Sequence, residues 1–245
     1  VKASLPPPYG DQWQLDLALA GSVVDLRLQG SSKGYLNAKL AGRVAPLKAA
    51  LPAKLSIQSA RFLAMDSLPS TLDLRDLTVD LEGSLAAGFR TQAKAKLPTK
   101  GKLMDLDLTG LVTPQQATNL KLKLVAPSLV QAKQAKPKQS KPENRDLLLT
   151  GTLDWSQGLK AESDILLRNF PWYHLIPEMS APPVAMKTLD LHGTYTDGEY
   201  QAQLTATADS PAGSTHLSAD VQGNPSALKL KKLHIKTGAG GLQGV

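Results

Sequence analysis

Residues 189–209 read "LDLHGTYTDGEYQAQLTATAD", and the fold turns on their two-residue beat. In an extended chain Leu189 and Leu191 point one way, and Asp190 and His192 point the other. After Thr196-Asp197-Gly198-Glu199, whose Asp-Gly pair suits a tight hairpin turn, the beat resumes with Tyr200, Ala202, Leu204, Ala206 and Ala208. Two β-strands with one oily and one polar face follow from this pattern.

The same alternation runs along most of the 245 residues. It begins at Trp13-Leu15-Leu17-Leu19 and continues through Val24-Leu26-Leu28, Leu36-Ala38-Leu40, Leu72-Leu74, Leu77-Val79-Leu81 and Ala93-Ala95-Leu97. Leu106-Leu108 and Leu120-Leu122-Leu124 follow. It returns in Leu147-Leu149, Leu153-Trp155, Ile165-Leu167, Leu217-Ala219-Val221, Leu228-Leu230 and Leu233-Ile235. A period of two argues for half-buried antiparallel strands and against amphipathic helices. Glycine and proline recur between the runs as hairpin turns would. "LDLALAGSVVDLRLQG" (15–30), "LMDLDLTGLVTPQQATNLKLKL" (103–124) and "LDLHGTYTDGEYQAQL" (189–204) each read as strand, glycine, turn, strand. Repetition of one such unit predicts an elongated stack of hairpins.

Composition sets limits on what fills the interior. Hydrophobic residues make up 42% of the chain but aromatic residues only 4%. Leu and Ala therefore carry the apolar load that aromatic rings carry in a compact sandwich. No cysteine is present, which excludes a disulfide or a thiolate metal site. No run reaches the roughly 18 to 20 apolar residues of a membrane-spanning helix. The chain starts at Val1 without a signal peptide and stops at Gly244-Val245, read here as a turn leading onward. The ends are read as those of an internal piece of a longer protein, an expectation only.

The net charge of +7 invites an anionic partner, but its distribution argues against nucleic acid. Residues 131–146, "QAKQAKPKQSKPENRD", hold four Lys and one Arg against one Glu and one Asp, and read as a solvated loop or linker. It divides the chain into β-sheet segments at 1–130 and 147–245, expected to continue one sheet. A second departure from the beat is "RNFPWYHLIPEMSAPPV" (168–184), where four prolines surround Phe170, Trp172, Tyr173 and Ile176. Proline bars ladder pairing in a central strand, so a short helix or loop is expected near 170–178. It would cap a core or act as a lip dipping into an apolar channel.

Chemistry-bearing clusters are scarce. His192, His216 and His234 each neighbour an inward Leu or Ile and should face solvent, and nothing brings them or His174 to one metal ion. Asp105 and Asp107 share a strand face, yet Asp16, Asp25, Asp73 and Asp190 hold the same outward phase elsewhere, which makes the set a solubilising face. "GAGGLQG" (238–244) lacks GxGxxG spacing and reads as a glycine-rich turn. There is no GxSxG, P-loop or HExxH motif, so the reading is of a non-enzyme without a cofactor.

An uncovered oily face would aggregate, so either a second sheet covers it or one sheet curls around a ligand. A trough lined by Leu suits a hydrocarbon. Carrying an acyl chain of about 15 methylenes through water costs roughly 12 kcal/mol at about 0.8 kcal/mol per CH₂. The expected lining is Leu74, Val79, Leu106, Leu108, Leu122, Leu149, Ile165, Leu167, Leu189, Leu191, Leu204, Val221 and Leu230.

The "LxLxGxx" hairpins, the block "GTLDWSQGLKAESDILLRNFPWYHLIPE" (151–178) and the closing "LKLKKLHIKTGAGGLQG" (228–244) resemble the periplasmic body of the TamB family, in the AsmA-like, bridge-like lipid-transfer group. The resemblance extends over most of the chain as repeat style and is sharpest over 151–244. It implies an all-β, curled antiparallel or mixed sheet of β-taco type with a one-sided hydrophobic groove. It also implies phospholipid transport across the periplasm by a protein anchored in the inner membrane of a Gram-negative envelope. A TamA-like outer-membrane barrel would be met through regions outside this sequence. The alternative is a scaffold that templates the strands of outer-membrane β-barrel proteins or autotransporters.

Overall fold

In the computed structural model, residues 2–3, 14–34, 36–63, 73–99, 102–127, 145–176, 179–211, 213–238 and 240–244 are described. The expected positions of Trp13 and Leu72, and residues 131–144 of the basic run, lie outside them. The chain forms two compact units, Val1–Leu122 and Lys123–Val245. The first holds β1 (Lys2–Ala3), β2 (Gln14–Ser22), β3 (Asp25–Lys33), β4 (Leu36–Val44), β5 (Pro52–Leu63), β6 (Asp73–Ser84), β7 (Gly88–Thr99), β8 (Lys102–Val112) and most of β9 (Gln116–Val125). The second holds the end of β9, then β10 (Asp146–Asp154), β11 (Lys160–Arg168), β12 (Ala185–Thr196), β13 (Glu199–Ser210), β14 (Gly213–Asn224), β15 (Ala227–Thr237) and β16 (Gly240–Gly244).

In each unit the strands lie side by side in chain order. The ladders from β1 to β8 and from β10 to β16 are antiparallel, with no mixed pairing among them. Local chemistry accounts for this meander. Asp197 (φ 47°) and Gly198 (φ 98°) both take the left-handed conformations of a two-residue hairpin turn, joining Thr196 directly to Glu199. Between β11 and β12 the expected short helix is present as one 3-10 turn, Trp172–Leu175, entered through Asn169 at φ 45°.

Four register irregularities interrupt the ladders, between Asn37 and Lys39, Arg75 and Thr78, Met186 and Thr188, and Asp220 and Val221. A bulge bends and twists the strand that carries it. At Asp76 (φ 50°) a bulge joins the two short runs Leu74 and Leu77-Val79-Leu81 into the single strand β6. On β15 the slip explains why Leu230 faces Val221 while Leu233 faces Ala219.

Three expectations need correction. Glycines of the LxLxG runs were placed before the turns, yet Gly21, Gly110 and Gly193 lie inside β2, β8 and β12. The sequence predicts a glycine-rich turn over 238–244, with the chain stopping in a turn at Gly244. Gly240–Gly244 is instead strand β16, held to β15 by register pairs from Thr237↔Gly240 to Leu233↔Gly244. Glycine carries no periodic signal, so only its neighbour's ladder reveals the strand. β5 went unread because its polar and small residues blur the beat around Leu55 and Ile57, although it pairs with β4 and β6 along its length.

Candidate functional site

Directly opposed residues in an antiparallel ladder share a face, so registers convert strands into rows. In the second unit one row runs Leu149, Ile165, Leu191, Leu204, Ala219, Leu233. The next runs Leu147, Leu167, Leu189, Ala206, Leu217, Ile235, Leu242. A third carries Gly151, Ser163, Gly193, Ala202, Val221 and Leu230. All eight predicted lining residues of this unit therefore fall on one face: Leu149, Ile165, Leu167, Leu189, Leu191, Leu204, Val221 and Leu230. Leu147, Leu217 and Ile235 belong to the same rows; their alternation was visible, but register was needed to join them to the set.

In the first unit Val79 lies in the row Leu17, Gly30, Leu40, Ile57, Val79, Ala93, Leu108. Leu106 faces Ala95 and Leu74 faces Phe62. On β9 half-buried Leu120 and Leu122 alternate with exposed Lys121 and Lys123.

Inward glycines supply what the scarce aromatics do not. A Cβ added at Gly30 would sit 2.7 Å from Leu17 Cδ2, and one at Gly110 would sit 2.7 Å from Leu120 Cδ2. A Cβ on Gly223 would lie 2.5 Å from the Tyr200 hydroxyl oxygen. Large side chains thus lie across gaps left by small ones, which brings the rows together without a second layer of rings. Gly30 and Gly110 each end an LxLxG run, but nothing local in that run separates an inward strand glycine from one that begins a turn.

Burial shows how the apolar face meets its surroundings. Among the described residues fourteen apolar side chains are buried, and eight of them are Ala. Most inward leucines, including Leu149, Leu189, Leu191 and Leu204, are only half-buried. Leu228, Leu230 and Leu242 are 67%, 47% and 62% exposed. Among the described strands of β1–β8, and among those of β10–β16, close backbone approach is between ladder neighbours. A facing sheet about 10 Å away would bury such leucines; most here stay half-buried, while Leu97, Met104 and Leu167 are buried.

The opposite face is polar and laced with cross-strand ion pairs: Arg43–Asp25 (3.8 Å), Lys54–Glu82 (2.9 Å), Arg61–Asp73 (2.8 Å) and Lys187–Asp209 (3.1 Å). Asp105 and Asp107 lie opposite Lys96 and Lys94. His192 Nδ1 lies 2.8 Å from Asp164 Oδ1, and that hydrogen bond, with the carboxylate's charge, holds the imidazole pKa above its usual 6.5. Asp154 accepts hydrogen bonds from the Ser156 hydroxyl and backbone N–H, which lower its pKa. The cross-strand pairs key one strand to the next on the polar face. Among the described residues no three His, Asp or Glu side chains converge as a metal site would require, and no helix is long and apolar enough to cross a membrane.

No protein-family profile, protein of known function or solved structure matches the chain. The function has to be argued from the two faces.

Proposed function

We propose that this chain is a periplasmic groove segment of a TamB-like protein, a non-enzymatic conduit whose apolar faces shield phospholipid acyl chains in transit between inner and outer membranes. The observation that supports the proposal is the set of apolar rows on one face of the second unit, most of whose leucines are only half-buried. At about 25 cal/mol per Å² of apolar surface removed from water, a hydrocarbon chain laid along such a row gains from each contact. Aliphatic walls give it no polar handle, so it slides rather than sticks. The full-length protein would be anchored in the inner membrane, and contact with a TamA-like barrel is assigned to no residue of this chain.

The test places photo-crosslinking residues at Leu191, on the apolar face, and at His192, on the polar one, with native mass spectrometry of the purified chain. Phospholipid adducts are expected at position 191 and absent at 192. Adducts at neither, with crosslinks to a protein instead, would replace the conduit with a strand-templating scaffold. A second expectation is that Leu191→Asp or Leu204→Arg blocks lipid movement in folded protein. Unimpaired movement in either variant sinks the proposal.

A further inference from the structure

The strand ends of the second unit are unlike one another. At the end carrying the Asp197-Gly198 turn, exposed apolar side chains gather: Leu153 (37%), Trp155 (42%) and Leu159 (47%) around the β10–β11 connection, and Leu228 and Leu230 beside the β14–β15 turn. Registers bring them to this one rim, because Leu153, Ala161, Tyr195, Tyr200, Gly223 and Leu228 form its outermost row. Five strand-to-strand steps separate β10 from β15, a path of about 24 Å measured along the sheet at about 4.8 Å per step.

Charge is sorted along the same rim. On β15 Lys229, Lys231 and Lys232 lie on the polar side, opposite or beside Gln222 and Asp220. Only Lys232 has a carboxylate near it, Asp220 at 3.8 Å. Farther down the same strand Lys236 and His234 border, with His216 and Thr207, an open depression of about 990 Å³. Elsewhere on the polar face several cations meet carboxylates on a neighbouring strand, as Lys94 and Lys96 do with Asp107 and Asp105, and the acids of this rim, Asp154, Asp197 and Glu199, belong to β10 and the β12–β13 turn. The β14–β15 corner is left cationic.

We infer that this rim docks edge-on against an anionic phospholipid bilayer, with Leu228, Leu230, Leu159 and Trp155 entering the interface and Lys229, Lys231 and Lys232 meeting the headgroups. Leu on one side of a hairpin tip and Lys on the other is the arrangement that lets apolar groups reach the acyl boundary while ammonium groups stay at headgroup level. Trp and Tyr favour that same zone. A lysine beside an anionic surface contributes about fivefold in binding. Single-stranded nucleic acid fits worse, since β14, β15 and β16 carry no Phe, Tyr or Trp for bases to stack on. The inference goes beyond acyl-chain shielding and fails separately from it.

Flotation of the full chain with phosphatidylcholine vesicles, with and without about 30% phosphatidylglycerol, tests it. Wild type should float with the anionic vesicles only, and less so in 0.5 M salt. Lys229→Glu/Lys231→Glu/Lys232→Glu should lose at least tenfold in binding, as should Trp155→Ser/Leu228→Ser/Leu230→Ser. Ile176→Ser/Leu242→Ser, at positions away from this rim, should bind like wild type. The inference is overturned if wild type ignores the anionic vesicles, if either rim variant floats normally, or if the Ile176/Leu242 control loses as much. Circular dichroism identifies an unfolded serine variant, in which case the charge reversals decide. Lipid crosslinking at Leu191 reads the apolar face alone, so its outcome leaves this one standing or falling by itself.

Discussion

The β7–β8 hairpin of the first unit and the β15–β16 hairpin of the second carry the same alternation but opposite exposure. On β7 and β8 Ala93, Ala95, Leu97 and Met104 are 8%, 5%, 3% and 0% exposed. On β15 and β16 Leu228, Leu230 and Leu242 are exposed to 67%, 47% and 62%. Both hairpins alternate apolar and polar residues along most of their length, and Lys94 and Lys96 lie opposite Asp107 and Asp105 on the polar side as Lys232 lies opposite Asp220. What differs is the strands on either side. β7 and β8 are each paired on both sides, whereas among the described residues β16 pairs with β15 alone and only from Leu233 to Thr237, so Leu228 and Leu230 have a neighbouring strand on one side. Alternation thus chooses the face, and the neighbouring strands choose how far that face is covered.

The contrast breaks most readily in stability. Met104→Ala should cost about 2–5 kcal/mol as a cavity-forming truncation of a fully buried side chain, while Leu242→Ala should stay within about 0.5 kcal/mol. Urea denaturation of both variants checks this, and equal costs would mean that β8 is no better covered than β16. A finer test concerns the inward glycines. Gly30→Ala brings a Cβ to 2.5 Å from the Asp16 carbonyl oxygen and 2.7 Å from Leu17 Cδ2, so a loss of about 1–3 kcal/mol is expected. At Gly193 the nearest atom to an added Cβ is Leu191 Cδ2 at 3.5 Å, an ordinary contact, and Gly193→Ala should be within about 0.5 kcal/mol of wild type. A Gly30 variant as stable as wild type would show that glycine there is incidental to packing.

The smallest effect belongs to the polar face. Because the Asp164 carboxylate raises the folded-state pKa of His192, the pair's contribution is fully present below pH 6.5 and is lost as pH rises through the raised value. NMR titration should place the His192 midpoint above 6.5 in wild type and move it down in Asp164→Asn. An unmoved midpoint would mean that the 2.8 Å contact does not persist in solution.

Much of this was legible in the residues. The period of two identified the strands around Leu26, Val79, Leu108, Leu191 and Leu204, and the Asp-Gly turn at 197–198 fixed one hairpin outright. The candidate face was legible too, since alternation alone puts Leu189 and Leu191 opposite in sense to Asp190 and His192. β5 and β16 were not, because Ser56, Ser59, Gly240 and Gly241 carry no side chain that announces a face. Nor was the role of Gly30 or Gly110, because a glycine inside a strand reads locally like one that begins a turn.

Sequence by itself determined that this is an all-β chain with an apolar and a polar face, because side-chain direction in a strand depends only on residue parity. Only the tertiary structure decided which leucines from distant strands form one row, where the bulge on β15 shifts that row, and that Leu97 and Met104 are covered while Leu228 and Leu242 are not. Register and coverage depend on partners far along the chain, and no local periodicity encodes them.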